Sequence, residues 1–203
     1  MQTTRTPDHP INALFLERWS PRAYDAQTMP KEDLQRILEA GRWAPSAFNI
    51  QPWRFLFSLR GDSKWDDFLS ILDAFNGQWA KDASALVFVL SDTVMPGDGD
   101  RPDAPARYNS FDAGAAWMQI ALQASELGYS AHAMAGLDFA VGQRILALPE
   151  RFRLEVGVAI GRRADPARLS ADLREREAPS GRLPLQEIAH QGPFPWRSNS
   201  VAA

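Results

Sequence analysis

The strongest constraint on this chain is an uninterrupted apolar run, Ala85-Leu86-Val87-Phe88-Val89-Leu90. A strand sends alternate side chains to opposite faces, so an apolar run without alternation needs cover on both sides. The run therefore predicts a central strand inside a layered domain. The flanking patterns supply the layers. A helix is expected over 11–18, with Leu14 and Phe15 on its apolar side. A second follows Met29-Pro30, where proline suits a helix start, with Leu34, Ile37, Leu38 and Gly41 at helical spacing before Pro45. Arg54 to Leu59 reads as a strand, Gly61-Asp62 as a turn, and Trp65, Phe68, Leu69 and Leu72 as one face of a helix. Tyr129 to Met134 reads as a short strand, Asp138 to Leu146 as a helix, and Leu154 to Ile160 as a strand closing at Gly161.

Asp112 is expected to cap a long helix over 113–127, stopped by Gly128. Alanine and glycine dominate it (Ala113, Gly114, Ala115, Ala116, Ala121, Ala124), and it is apolar around most of its circumference. Small residues permit close helix approach, which suits a subunit interface and a crowded core equally. Residues 94–107, with Pro96-Gly-Asp-Gly-Asp100, read as a long loop, either a surface insertion or a lid. Residues 162–203 are polar and proline-bearing, and either lack order or lie along something else, such as a partner subunit. The whole is α+β: a single domain over 1–203, with a core over 11–161 and an extended C-terminal arm over 162–203.

Composition narrows the chemistry. The chain has 203 residues, a net charge of −3 and no cysteine. The charge argues against nucleic acid as a partner. Without thiols there is no disulfide, thiolate zinc site or iron–sulfur cluster, so redox work would need a bound cofactor. His9, His132 and His190 are too scattered to suggest a metal site. The N-terminus is polar and no apolar run approaches the ~20 residues of a membrane span, so a cytoplasmic protein without membrane contact is expected. The motifs HExxH and GxSxG, a phosphate loop and a GxGxxG turn after a strand are all missing from the sequence.

Two segments carry candidate chemistry. Arg18-Trp19-Ser20-Pro21-Arg22 places two guanidiniums and a hydroxyl within five residues, which suits a phosphate or a polar ring edge, or else is a solvated basic turn. Trp43-Ala-Pro-Ser-Ala-Phe-Asn-Ile-Gln-Pro-Trp53 mixes ring surfaces with hydrogen-bonding groups between two prolines. That mixture suits a planar, heteroatom-rich ligand; it also suits a proline-bounded helix stop before an edge strand.

With both segments in view, the chain resembles the flavin-dependent nitroreductase family. The resemblance rests on order: Arg18 to Arg22, Ala44 to Trp53, Asn76-Gly-Gln-Trp79 before the apolar strand, and Asp112-Ala-Gly114 opening the long helix. His132-Ala-Met-Ala-Gly-Leu-Asp138, Leu148-Pro149, Gly161 and Arg182-Leu-Pro-Leu185 follow. It covers roughly residues 14 to 190 and implies a three-layer domain with a central mixed sheet. It further implies an intertwined homodimer whose C-terminal extensions cross to the partner, with FMN at the subunit interface. By the same resemblance, Arg18 and Ser20, with Trp19 between them, meet the FMN phosphate and ribityl region, and Arg22 lies near the pyrimidine edge. Pro45, Ser46 and Asn49 form the wall facing the ring, with Asn49 from the partner, and Gln51 beside them. Asn76 contacts the ring, Met134, Ala135 and Gly136 form the backbone strip near flavin N5 and O4, and Arg182 binds phosphate. Ser180 stands where relatives carry a second cation, with Arg162, Arg163 or Arg176 as substitutes, and Ala135 offers only its backbone where some relatives are acidic. The implied activity passes hydride from NADH or NADPH through the flavin to a nitroaromatic, a quinone or an activated carbonyl or alkene. No side chain is then needed as acid or base. The alternative is a flavin storage or sensor protein without turnover.

Overall fold

The computed structural model describes residues 5–195. The apolar run becomes β2 (Ala85–Asp92), buried along its whole length. It is flanked by β1 (Trp53–Leu59) and β6 (Phe152–Gly161), with β5 (Ser130–Met134) outside β6, giving the order β1-β2-β6-β5. Val87 sits opposite Phe57 on one side and Val158 on the other.

The two faces of β2 divide the core. Ala85, Val87 and Val89 pack with Leu34 and Ile37 of α2 (Lys31–Arg42) and with Ala113, Ile120, Ala121 and Ala124 of α5 (Asn109–Glu126). Leu86, Phe88 and Leu90 pack on the opposite face. There they meet Trp65 and Phe68 of α3 (Trp65–Leu69), Trp79 of α4 (Ala74–Ala80), and Val141 and Ile145 of α6 (Phe139–Ile145). The expected three layers follow from this alternation. α1 (Ala13–Glu17) is short and capped by Asn12. The 94–107 segment carries a small ribbon, β3 (Val94–Met95) against β4 (Ala104–Pro105), rather than a structureless loop.

Three expectations need correction. Every pairing among the described residues of the main sheet is antiparallel, so the mixed sheet is not found within one chain. The connections explain this: β1 to β2 and β5 to β6 reverse direction through helices that stay on one face, and no crossover returns a strand parallel to its neighbour. Second, α5 begins at Asn109, so Asp112 lies inside its first turn instead of capping it. The Asp112 side chain is 3% exposed, and its Oδ2 accepts from the backbone N–H of Ala47 at 3.1 Å. Third, α4 appears where only a motif was seen. Asp73 caps it by accepting from Asn76 N at 2.7 Å, offsetting the cost of Gly77 in a seven-residue helix.

The first part of the polar C-terminal segment lies along its own chain. Arg163 bridges to Tyr24, and Ala164 N donates to Ala23 O at 2.9 Å. Leu169 and Leu173, the latter in α7 (Ala171–Arg174), join the core on the α3/α4 face. Two apolar side chains in a mostly polar stretch thus add core burial to the backbone contacts that fasten it. α8 (Leu185–Ile188) follows, fully exposed. The expected arm beyond residue 195 lies outside the described residues. Among the described residues no helix is long and apolar enough to cross a membrane.

Candidate functional site

The segment leaving α1 is extended, and Pro21 fixes its path. The Pro21 carbonyl meets His132 Nδ1 at 3.0 Å. A carbonyl can only accept, so the neutral ring carries its proton on Nδ1. Arg5 reaches across the segment, donating to Leu16 O, Arg18 O and Ser180 O. The result is a cavity of ≈ 280 Å³ lined by Arg18, Trp19, Ser20, Arg22 and Arg182, together with Arg5, His132, Arg176 and Ser180. Five residues expected at a cofactor site thus meet in one place. Arg5 and His132 were missed.

Among the described residues, five arginines and no carboxylate line the cavity. Burial, then the charges of Arg5 and Arg182, hold the Arg18 guanidinium below its usual pKa. None of the ion pairs among the described residues involves Arg18, Arg22, Arg176 or Arg182. Arg18 donates only weakly to Ser20 Oγ, at 3.3 Å. Arg22 lies 6.0 Å over the Trp79 ring, and its Nε is buried with no hydrogen-bond partner. Cations crowd together this way where an anion is to be held, because guanidinium forks pair with phosphate oxygens. Burial pushes His132 down to about 4, with Arg22 and Arg18 adding to the effect against the hydrogen bonds at Pro21 and Ser20. Its ring packs 4.7 Å from Trp79 and stays neutral near pH 7.

The second segment is built differently. Phe48, Asn49 and Gln51 have φ of 53°, 54° and 50°, the left-handed region that costs an ordinary residue about 1 kcal/mol or more. Three such residues within four positions persist because their surroundings enforce them. Ala47 N is tied to Asp112, Gln51 N donates to Ser46 Oγ at 3.0 Å, and Gln51 Nε2 donates to Asn49 O at 3.1 Å. Phe48 stands 86% exposed. Neither Pro45, Ser46, Asn49 nor Gln51 lines the arginine cavity.

The third group sits at the end of β5. Asp73 N and Asn76 Nδ2 both donate to Gly136 O, at 3.0 and 3.3 Å. A Cβ on Gly136 would overlap the Asp73 carboxylate, so only glycine fits there. Asn76 is nearly buried and faces this peptide. Ala135 is exposed, while the Met134 side chain enters the core. Of the three cations considered as replacements at Ser180, Arg162 stacks 4.5 Å from Tyr129 and Arg163 bridges to Tyr24; Arg176 alone among them lines the cavity.

The model of the nitroreductase family matches residues 16–64 and 58–162. The chain belongs to that family. The crystal structure of an oxidoreductase containing FMN superposes with a TM-score of 0.93 at 44% identity, over 97% of this chain and 99% of that one. A CLA biosynthesis enone reductase of Lactiplantibacillus plantarum is 27% identical over 184 residues, 74% of this chain and 84% of the relative. An NADH dehydrogenase of Thermus thermophilus is 28% identical over 201 residues, 85% of this chain and 91% of the relative. Of these similar proteins one is named for the acceptor it reduces and one for the donor it oxidises, so the likeness fixes no acceptor for this chain.

Proposed function

We propose that this nitroreductase-family chain is an FMN-dependent oxidoreductase that takes hydride from NADH or NADPH and reduces a small organic acceptor. Nitroaromatics, quinones and activated carbonyls or alkenes are the acceptor classes. The observation that carries this reading is the arginine cavity, where five guanidiniums and no carboxylate among the described residues line a space of ≈ 280 Å³, and where Arg18, Arg22, Arg176 and Arg182 enter none of the ion pairs among those residues.

Bound FMN would supply the electron chemistry; the protein binds, orients and excludes. Arg18, Arg176 and Arg182 would grip the phosphate, with Ser20 on the ribityl side. Arg22, held over Trp79, would set a positive charge near the pyrimidine edge. The Gly136 peptide, its carbonyl turned toward Asp73 and Asn76, leaves its other edge for the ring, and Asn76 acts there through that peptide. Fixed backbone dipoles of this kind favour developing negative charge without reorganising.

Ser46, Asn49 and Gln51 do not line the cavity of their own chain, so we place them over the ring bound by a partner subunit. A homodimer is supported by the outer face of α5, where Phe111 (79% exposed), Gly114 and Met118 follow one another at helical spacing in open space. A contiguous apolar stripe of this kind marks an association surface. The single domain over 1–203 then divides into a core and an arm that first fastens to its own chain.

The test is anaerobic absorbance after FMN loading and desalting, before and after NADH or NADPH. Retained flavin bands that bleach with a nicotinamide donor support the reading and identify the donor. Retained flavin that does not bleach makes the chain a storage or sensor protein. No retained flavin overturns the cavity assignment.

A further inference from the structure

We propose that Glu177 is the positioning residue of the arginine cavity: its carboxylate, held in a nest of two successive backbone N–H groups, fixes the Arg22–Ala23 backbone against Arg176, so that Arg18, at the other end of that segment, and Arg176 face the phosphate together. The proposal rests on the reading of the cavity as a phosphate site.

Three hydrogen bonds define the contact. Glu177 Oε1 accepts from Arg22 N and from Ala23 N, both at 2.8 Å, and Oε2 accepts from Arg22 N at 3.0 Å. Consecutive N–H groups aimed at one carboxylate form an anion-binding concavity, and bonds to a charged acceptor are stronger than neutral ones. The partners are 155 residues apart, so this is a tertiary clamp and not a local turn.

Its location gives it leverage. Glu177 follows α7, whose Leu173 is 3% exposed, and its own N–H donates to Arg174 O at 3.1 Å, so the carboxylate stands on a seated element. The preceding residue, Arg176, lines the cavity. One dipeptide therefore contributes a guanidinium to the cavity and a carboxylate to the backbone behind it. A carboxylate beside five arginines would ordinarily pair with them and cancel the site. Here it is occupied by main-chain donors, and no ion pair joins it to Arg18, Arg22, Arg176 or Arg182 among the described residues. The backbone is held by a negative charge while the cavity stays positive.

The experiment compares FMN with riboflavin, which lacks the phosphate, by fluorescence titration of the full-length apoprotein, for wild type, Glu177→Ala and Glu177→Gln. In the wild type FMN should bind far more tightly than riboflavin; equal affinities would sink the phosphate reading itself, independently of Glu177. In Glu177→Ala the FMN dissociation constant should rise about tenfold or more, from loss of charge-assisted bonds, and riboflavin, which would meet Arg22 but not the phosphate grip, should weaken by about threefold or less. Glu177→Gln keeps one acceptor oxygen and should fall between. A parallel loss of both ligands would make Glu177 a general structural residue and overturn the proposal, as would unchanged FMN affinity in a folded variant. Unfolding of both variants would overturn it too, by assigning Glu177 to the fold.

Discussion

The arginine cavity and the 46–51 loop are both expected to meet the same flavin, yet they store free energy in opposite forms. The cavity has ordinary backbone and uncomfortable electrostatics: guanidiniums crowd until Arg18 falls below its usual pKa. The loop has little charge and uncomfortable backbone, with Phe48, Asn49 and Gln51 in left-handed conformations. Ligand binding would relieve the first by supplying an anion. It would not relieve the second, whose strain is fixed by the fold and serves to present side chains. Removing one cation should therefore cost binding without costing stability, whereas releasing the loop should trade stability against presentation.

The largest effect expected is on pH. His132 titrates near 4 in the folded protein against 6.5 in the unfolded chain, so between those values the unfolded chain binds more protons. The contribution is complete above about pH 6.5 and is lost as pH falls toward 4, on the order of 2–3 kcal/mol. Urea midpoints measured from pH 7.5 to 4 should show this slope in the wild type and lose much of it in His132→Gln. An unaltered slope would mean that carboxylates elsewhere dominate.

Arg18→Ala comes next. It should weaken FMN binding by about 1.5–3 kcal/mol, the range of a charge-assisted contact. Because it also relieves like-charge crowding, the apoprotein should unfold at the same temperature or higher. A large fall in apoprotein Tm would show that Arg18 supports the fold and would erase the contrast between the two regions.

On the loop, Asp112→Ala should cost about 1–2 kcal/mol by freeing Ala47 N and leaving the left-handed residues without their tether. Asp112→Asn, which keeps an acceptor oxygen, should lose less than half of that. Equal losses in calorimetry would put the effect on charge at the start of α5 instead. The smallest effect is Phe48→Gly. Phe48 is largely exposed, so little packing is lost and relief of a left-handed φ should stabilise by about 0.5–1 kcal/mol. Turnover should drop at the same time. A stabilised variant with full turnover would leave the strain without a functional account.

How much of this was legible in the sequence follows the range of the interactions. The β2 run dictated its own two-sided burial, and the spacing of Leu34, Ile37 and Gly41 marked α2 to within a residue or two. Boundaries failed where polar residues serve helices. Asn109 and Ser110 sit in the first turn of α5 but fall in no predicted element between the 94–107 loop and Asp112, which displaced the start and gave Asp112 a capping role it does not have. Asp73 caps α4 by accepting from Asn76 N, a role missed because Asn76 to Trp79 stands out in the sequence only as a motif. At the site, Arg18 to Arg22 was legible because its chemistry is contiguous. Arg5 and Glu177 were not, because each acquires its role only when segments far apart in sequence close on one another.

That closure sets an order on the life of the chain. Residues 18–24 leave the ribosome long before the partners that fix them, Arg163, Ala164 and Glu177, the last of which lies 155 residues after Arg22. At about 5–20 residues per second, the nascent chain spends on the order of ten seconds with its arginine cavity unassembled. Closure of the arginine cavity consequently waits until residue 177 has been made, and a chain broken off just after β6 would carry most of the described elements while lacking the segment that holds Arg22 and Ala23 from behind.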